Sequence, residues 1–166
     1  AVKSALLKIR KGKPQAVVMV GAYKPCAAFI KLAKKARMEA DFVNISFVGS
    51  KALAKELGAD GEGVIVSQVV PFPWDQSIPL VKSYQAALMA HDAKSEPGFV
   101  SLEGYMVGRL VIMALSEMGQ DVTRKGLTDT IARIGTFDLG GVTLTYGKGD
   151  NQGMDKVFML SLIHIS

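Results

Sequence analysis

The residue types that could carry out catalysis are few in this sequence and are poorly grouped. Cys26 is the only cysteine, and the two histidines are His91 and His164. A helix N-terminus can lower a thiol pKa, but no general base accompanies Cys26, and neither histidine has a Cys, Asp or Glu at ligand spacing. We therefore expect no enzyme activity and no metal site, with Cys26 as a small packing residue and the histidines at the surface.

Two glycine-rich segments deserve comparison with phosphate-binding loops. The first, residues 58–63, follows an expected helix and enters a strand, whereas a dinucleotide fingerprint follows a strand and opens a helix. The second, residues 147–153, lacks the Lys-Ser/Thr ending and the following helix of a P-loop. Both segments are predicted to be turns, so the sequence predicts no cofactor.

Hydroxyl and aromatic residues follow the ends of two predicted strands. Tyr23 comes after the first strand, and Ser46 and Phe47 come after the second. In open α/β sheets, ligands bind outside the carboxyl ends of the strands, where helix N-terminal amides are also free. Two interpretations stay open: these residues line a pocket, or Tyr23 and Phe47 merely cap the core.

The elements that would position these residues alternate between strand and helix. Apolar runs bounded by Pro or Gly predict strands at 16–20, 42–45 and 63–70, and helices are expected at 25–38 and 50–57, the latter capped by Ser50 and ended by Gly58. This alternation predicts right-handed crossovers and a parallel sheet, the α/β class.

The alternation of strands and helices stops at Pro71-Phe-Pro-Trp-Asp75, where two prolines in three residues end a strand and stiffen the chain. This segment is predicted to be a crossover or hinge. Beyond it we expect helices at 78–90, 102–118 and 123–134, with Thr123 as an N-cap, and two strands at 142–146 and 156–160 joined by the second glycine-rich turn. The helix from Leu102 is apolar on nearly every side, and Gly104 and Gly108 allow close packing. It is predicted to be buried.

Composition bounds the class of protein. The 166 residues are 49% apolar and 21% charged, which is typical of a globular chain, and the longest apolar stretch falls short of a membrane span. Residues 1–56 carry twelve Lys and Arg against three acids. The lysines near Lys31 and Lys35 lie on the polar side of an amphipathic helix, which favours a solvated face over a nucleic-acid surface.

The residues and the order of five segments resemble the type I periplasmic solute-binding proteins of the leucine/isoleucine/valine kind. The segments are 13–23, 42–49, 57–66, 97–105 and 137–141. The resemblance covers nearly all of residues 1–160. Members of that family have two α/β lobes, built on parallel sheets with flanking helices and joined by three crossovers. The resemblance implies a C-terminal fragment that lacks most of the N-terminal lobe.

The same resemblance assigns a place to each part of the chain. Residues 1–70 would complete lobe 2, 71–77 would be a hinge crossover, 78–153 would return to lobe 1, and 154–160 would be the final crossing strand. Residues 161–166 resemble a translated sequencing adapter and are predicted to be a non-native tail, so His164 is expected to have no role.

The function that the resemblance implies is that of a substrate-binding component of an ABC importer, which captures a small ligand between two lobes and delivers it to a membrane permease. Its partners would be the ligand and the permease, and it would not bind nucleic acid. It would be located in the periplasm or, in an organism without an outer membrane, attached to the outside of the cell by a lipid anchor. The signal peptide would lie outside this sequence. Alternatives are a sensing domain of a receptor or regulator on the same fold and, less favoured, a flavodoxin-like enzyme domain.

Site residues follow from the resemblance position by position. Tyr23 matches a tyrosine that lines the pocket, whereas Ser46 stands where amino-acid binders have a carboxylate for the ligand ammonium. Either Glu103 supplies the charge or the ligand lacks an α-ammonium, because a buried ammonium needs a charged partner. Tyr105 matches, within one residue, a tyrosine of the first-lobe return helix.

Aromatic residues suggest the class of ligand. Phe47, Phe72 and Trp74 would add aromatic surface near the cleft or hinge, which favours burial and stacking of an apolar body. The hypothesis is an aromatic or other small organic acid, with a branched-chain amino acid or amide as the second choice.

Overall fold

The chain folds as two units in the computed structural model, which describes residues 2–119, 122–147 and 149–162. Unit 1 contains Ala1–Val69 and Val157–Ser166, and unit 2 contains Val70–Lys156. The alternation of strands and helices expected for the first 70 residues is present, and the α/β class with a mostly parallel sheet is confirmed. The assignment of these parts to lobes stays a prediction.

Unit 1 is built on a four-stranded sheet. Its strands in spatial order are β1 (Ala16–Met19), β2 (Asp41–Ile45), β3 (Ile65–Gln68) and β6 (Phe158–Ser161). The first three strands are parallel, and β6 runs antiparallel to β3. Because these strands are short and rich in Val and Ile, they suit a sheet that helices cover.

Three helices belong to unit 1: α1 (Val2–Lys11), α2 (Tyr23–Lys35) and α3 (Ser50–Leu57). The crossovers from β1 to β2 and from β2 to β3 step in one direction, so α2 and α3 lie on the same face of the sheet. Ile30 and Leu53 are fully buried there, and each contributes about 1.5–3 kcal/mol by leaving water. Phe29 meets Phe42 edge to face at 6.3 Å between ring centroids.

The ends of these helices differ slightly from the prediction. Helix α2 begins at Tyr23, two residues before Pro25, because proline fits anywhere in the first helical turn. Ser50 is the first residue of α3 instead of its cap, and Gly49, with a φ of 74°, stands at the N-cap without a side-chain hydrogen bond. Gly58 ends α3 as predicted.

Unit 2 contains helices α4 (Pro79–His91), α5 (Phe99–Ser116) and α6 (Arg124–Ile134), followed by a hairpin of β4 (Thr136–Asp138) and β5 (Thr143–Thr145). The Thr123 hydroxyl accepts a hydrogen bond from the Gly126 N–H at 3.0 Å, so the predicted N-cap is confirmed. In the hairpin turn, Gly140 has a φ of 100°, and a Cβ there would lie 3.3 Å from the Leu80 nitrogen. Glycine is therefore required at this position.

The two strands that the sequence predicted at 142–146 and 156–160 lie in different sheets. Strand β5 pairs with β4, which the sequence prediction missed, and β6 pairs with β3 in unit 1. A three-residue strand is too short to show an alternating pattern, so β4 gave no signal of its own. Ser161 pairs with Ile65 at the end of β6, and Leu162 is buried beside it. Residues 163–166, including His164, lie outside the described residues.

Helix α5 was predicted to be buried on nearly every side, and this was wrong for the described chain. One stripe is buried, formed by Leu102, Met106, Leu110 and Ala114. The opposite side is open: Val107 is 55% and Ile112 is 63% exposed, and a Cβ on Gly104 or Gly108 would meet no atom within 4 Å. The expectation that every apolar stretch falls short of a membrane span does not hold for α5. Of the described helices, α5 alone is long and apolar enough to cross a membrane, a test that core helices of soluble proteins also pass.

Candidate functional site

The loops that follow β1 and β2 lie side by side at one edge of the unit 1 sheet. The two strands are parallel neighbours, and Met19 at the end of β1 pairs with Asn44 near the end of β2. Tyr23 follows four residues after Met19 and begins α2, and Ser46 begins a short 3₁₀ turn, Ser46–Val48, directly after β2. The topology thus brings the loops of Tyr23, Ser46 and Phe47 to the carboxyl edge, where α/β sheets bind ligands.

The side chains of these loops differ in exposure. Tyr23 is half-buried and packs against the unit 1 core, and the Lys24 Nζ lies 5.9 Å from the centre of its ring. Ser46 is also half-buried. Phe47 is 71% exposed, so the interpretation in which it caps the core is wrong. An exposed aromatic ring beside a hydroxyl and a half-buried tyrosine can serve as a binding surface.

The charges of the two loops are one-sided. Residues 21–25 and 46–50 contain the hydroxyls of Tyr23, Ser46 and Ser50 and the ammonium of Lys24, but no carboxylate. Such a set can hold a neutral or an anionic group by hydrogen bonds. It has no negative charge with which to neutralise a ligand ammonium.

Two buried amides near this edge were missed by the sequence prediction. Asn44 on β2 and Gln68 on β3 are 0% and 2% exposed, and both atoms of the Asn44 amide and the Gln68 Nε2 have no hydrogen-bond partner in the described part of the chain. An unmet buried amide costs about 1–3 kcal/mol. The signal available in the sequence was the occurrence of two amides inside otherwise apolar strands.

Unit 2 holds the predicted residue Trp74 in an aromatic cluster, formed by Phe72, Trp74 and Phe99. The Trp74 ring lies 4.8 Å from Phe72 and 6.0 Å from Phe99 between centroids, and 39% of Trp74 is exposed. Two contacts fix the loop that carries it. The Gln85 amide donates to the Pro73 carbonyl at 2.8 Å, and Asp75 accepts from the Ser77 N–H at 3.0 Å. The cluster is therefore a pre-formed aromatic surface.

The predicted residues Glu103 and Tyr105 both lie on α5, but the helix does not bring them together. Positions two apart on a helix point in different directions. Glu103 is exposed, whereas Tyr105 is half-buried against Tyr84, with 5.7 Å between ring centroids. The Arg109 guanidinium donates to the Tyr105 hydroxyl at 3.3 Å. Arg109 is a cation that the sequence prediction did not connect with this tyrosine.

Tyr84 fixes the segment that carries these residues. Its hydroxyl accepts from the Gly98 N–H at 2.9 Å and lies 2.6 Å from the Ser101 Oγ, which ties α4 to the first turn of α5. Because the Tyr84 ring also packs on Tyr105, it limits the positions that Tyr105 can take. Tyr84 was not among the predicted site residues, since a tyrosine inside a helix resembles any other core residue.

The residues first considered for catalysis are placed apart. Cys26 is buried in the unit 1 core, and burial raises the pKa of its thiol, so it holds its proton more tightly than a free cysteine. His91 is exposed at the end of α4. In the ranges that the structure describes, no group of three or more His, Cys, Asp or Glu residues could hold a metal ion.

Known proteins share this arrangement. The family described as periplasmic binding protein matches residues 1–163. The chain is similar to the structure of a possible leucine/isoleucine/valine-binding protein from Rhodopirellula baltica SH 1, with 35% identity over 92% of this chain and a TM-score of 0.82. It is also similar to an extracellular ligand-binding receptor from Verminephrobacter eiseniae, with 28% identity over 96% of this chain and a TM-score of 0.83.

A third structure shares the fold at lower identity. It is a fatty acid ABC transporter substrate-binding protein from Thermomonospora curvata, 21% identical over 95% of this chain, with a TM-score of 0.80. The chain spans less than half of each of these proteins: 44%, 45% and 42% of their lengths. No curated protein matches the chain.

Proposed function

Since the chain belongs to the periplasmic binding protein family, we propose that it is the C-terminal part of the substrate-binding component of an ABC importer. The family consists of solute-binding proteins, not enzymes, which confirms the prediction of a non-enzymatic class. It also implies a periplasmic or extracellular location. Delivery to a permease is part of the proposal, and so is a lipid anchor as the alternative to the periplasm in an organism without an outer membrane.

The proposed action is capture of a small molecule between two lobes of the complete protein. Unit 1 would belong to lobe 2 and unit 2 to lobe 1, with residues 71–77 as a hinge crossover and β6 as the final crossing strand. A ligand that binds the closed form more tightly than the open form shifts the population toward closure, and the closed form is then presented to the permease. This action needs no catalytic group.

The observation that carries the choice of ligand is the charge of the strand-end loops. They hold three hydroxyls and Lys24 without a carboxylate, and in unit 2 the guanidinium of Arg109 bonds to Tyr105. Both cations favour a ligand with a negative group. We propose a small organic acid, and the aromatic cluster around Trp74 favours an aromatic body.

Relatives support a ligand without an ammonium group as well as one with it. One structural relative is named for fatty acids, which are acids without an ammonium, and another is named for leucine, isoleucine and valine. The second choice is therefore a branched-chain amino acid or amide, in which case Glu103 supplies the charge that Ser46 lacks.

Titration calorimetry on the full-length protein distinguishes these ligands. Aromatic acids such as benzoate and phenylacetate are titrated beside leucine, isoleucine and leucinamide. We expect saturable binding of at least one aromatic acid and none of leucine. Tight binding of leucine without a response to any aromatic acid would show that the preference for acids is wrong.

A sensing role is the alternative that one observation favours, since the relative from Verminephrobacter eiseniae is named as a receptor. The sequence upstream of this chain in its gene separates the two roles. A signal peptide followed by the rest of a binding protein supports transport, whereas a DNA-binding or kinase segment supports regulation.

A further inference from the structure

The outer surface of the three unit 1 helices is strongly basic. We call it the basic face, and it consists of Lys3, Lys8, Arg10, Lys11, Lys24, Lys31, Lys34, Lys35, Lys51 and Lys55. The same helices contain a single acid, Glu56. All ten cations are exposed except Lys34, which is half-buried and donates to the Glu62 carbonyl.

The position of the basic face follows from the packing of the helices. Ala27, Ile30 and Ala33 of α2 are buried, and so are Leu6 of α1 and Leu53 of α3. Their apolar stripes pack into the unit 1 core, so the charged sides turn outward together. The rest of the chain carries ten Lys and Arg against fourteen Asp and Glu. The net positive charge of the whole chain therefore comes from this one surface.

The chemistry of the basic face points to one kind of partner. Nine of its ten cations are lysines, and an ammonium on a flexible stem attracts negative charge without the fixed two-point geometry of a guanidinium. The helices offer no exposed row of aromatic rings on which bases could stack, since Phe29 is buried and Tyr23, their other aromatic residue, is half-buried against the core. A diffuse, lysine-rich surface suits a fluid anionic surface whose charges rearrange to meet it.

We propose that the basic face holds the protein reversibly against a bilayer that contains anionic phospholipids. The proposal rests on the periplasmic or extracellular location that the family implies, where this contact would keep the protein close to membrane-embedded partners. The attraction is electrostatic, so it acts within about 8 Å at physiological ionic strength and weakens as salt rises. It depends on neither the ligand nor an import role.

Vesicle sedimentation tests the proposal with the chain itself. Vesicles of phosphatidylcholine alone are compared with vesicles of equal parts phosphatidylcholine and phosphatidylglycerol. We expect the chain to sediment with the anionic vesicles at low salt, and the bound fraction to fall at least tenfold at about 0.5 M salt. Equal retention by both kinds of vesicle, or retention that salt does not change, would overturn it.

Two triple variants separate the basic face from general positive charge. Lys31→Gln, Lys35→Gln and Lys55→Gln together remove three charges of the basic face, and Lys82→Gln, Lys94→Gln and Lys125→Gln remove three exposed charges of unit 2. The first set should weaken binding to anionic vesicles about 100-fold, and the second by less than about threefold. Equal losses in the two variants would contradict the proposal.

A comparison of polyanions tests the choice of partner. Duplex DNA and polyglutamate are offered at the same charge concentration and salt as the anionic vesicles. The proposal expects the vesicles to be bound most tightly, because only they adapt laterally to the basic face. Tighter binding of DNA or of polyglutamate would replace the bilayer with a nucleic acid or an acidic protein and would overturn the proposal.

Discussion

At the scale of single residues, a ligand ammonium enclosed by protein needs a counter-charge, and Ser46 offers only a hydroxyl at the end of β2. Tyr23 and Lys24 begin the neighbouring helix α2, and neither supplies a negative charge. A hydroxyl donates to a carboxylate as readily as it accepts from an amine. In the function that we propose, these segments therefore match an acid better than an amino acid.

Ser46→Glu should reverse this preference in the full-length protein. The new carboxylate would repel an organic acid and attract an α-ammonium, so we expect binding of the acid to weaken at least tenfold and binding of leucine to increase. Ser4→Glu on α1, where the serine is exposed to solvent, adds the same charge away from the loops and should change the affinity for neither ligand. If both variants bind the acid as the unmodified protein does, Ser46 does not face the ligand.

Cys26 is expected to react slowly in the folded chain. Burial raises the pKa of its thiol, so at any given pH below that value the folded protein contains less thiolate than a free cysteine. The rate of alkylation by iodoacetamide, followed from pH 7 to 10, should rise at higher pH than for the chain unfolded in urea. Rapid alkylation of the folded chain at neutral pH would show that Cys26 is accessible and activated.

The residues that the sequence could not supply are those whose role depends on distant neighbours. Tyr23, Ser46 and Phe47 were predicted at strand ends, because the order of elements fixes where a strand stops. Asn44 and Gln68 were missed, since nothing in a single strand shows that its amide lacks a partner. Arg109 was missed although it lies four residues after Tyr105 on a helix that the sequence predicted, so the i,i+4 spacing was the signal available.

At the scale of elements, the spacing of apolar residues and the positions of Pro and Gly predicted the βαβαβ part of unit 1 well. Pro14, Gly21 and Gly58 mark real element ends, and helix and strand patterns alternate between them. The hairpin of β4 and β5 was not predicted as a pair, because its strands have three residues each. Strands β6 and β3 pair although about 90 residues separate them in the chain. Local sequence patterns contain no information about such a distant pairing.

Helix α5 shows the limit of composition as a guide to burial. Its apolar residues surround the helix, but the described chain covers only the stripe through Leu102 and Leu110. The chain spans less than half the length of its structural relatives. We infer that the open side, which includes Val107 and Ile112, packs in the complete protein against chain that this sequence does not contain.

Val107→Ser tests this inference by comparing two lengths of the protein. In the 166-residue chain Val107 is largely exposed, so the substitution should change the free energy of unfolding by less than about 0.5 kcal/mol. In the full-length protein it should cost roughly 2–4 kcal/mol, because a buried methyl pair is lost and a hydroxyl is buried. Urea denaturation measures both values.

Leu102→Ala serves as the control for this comparison. Leu102 is fully buried in the described chain, so its truncation should cost about 2–5 kcal/mol in either length of protein. An equally small effect of Val107→Ser in both lengths would mean that the open side of α5 faces solvent in the complete protein as well.

At the scale of the whole molecule, the two units divide the predicted site residues between them. Tyr23, Ser46 and Phe47 belong to unit 1, whereas Trp74, Glu103 and Tyr105 belong to unit 2. The proposed function, capture of a ligand by a two-lobed protein, would draw on both groups of residues. The chain spans 44% and 42% of the lengths of two of its structural relatives.

Calorimetric titration of an aromatic acid into the full-length protein and into the 166-residue chain tests the central claim most directly. The two-lobe account predicts a saturable one-to-one heat signal for the full-length protein, with micromolar affinity on the order of −8 kcal/mol, and no saturable signal for the chain alone. Equal binding by both, or the absence of any small-molecule ligand for the full-length protein, would contradict it.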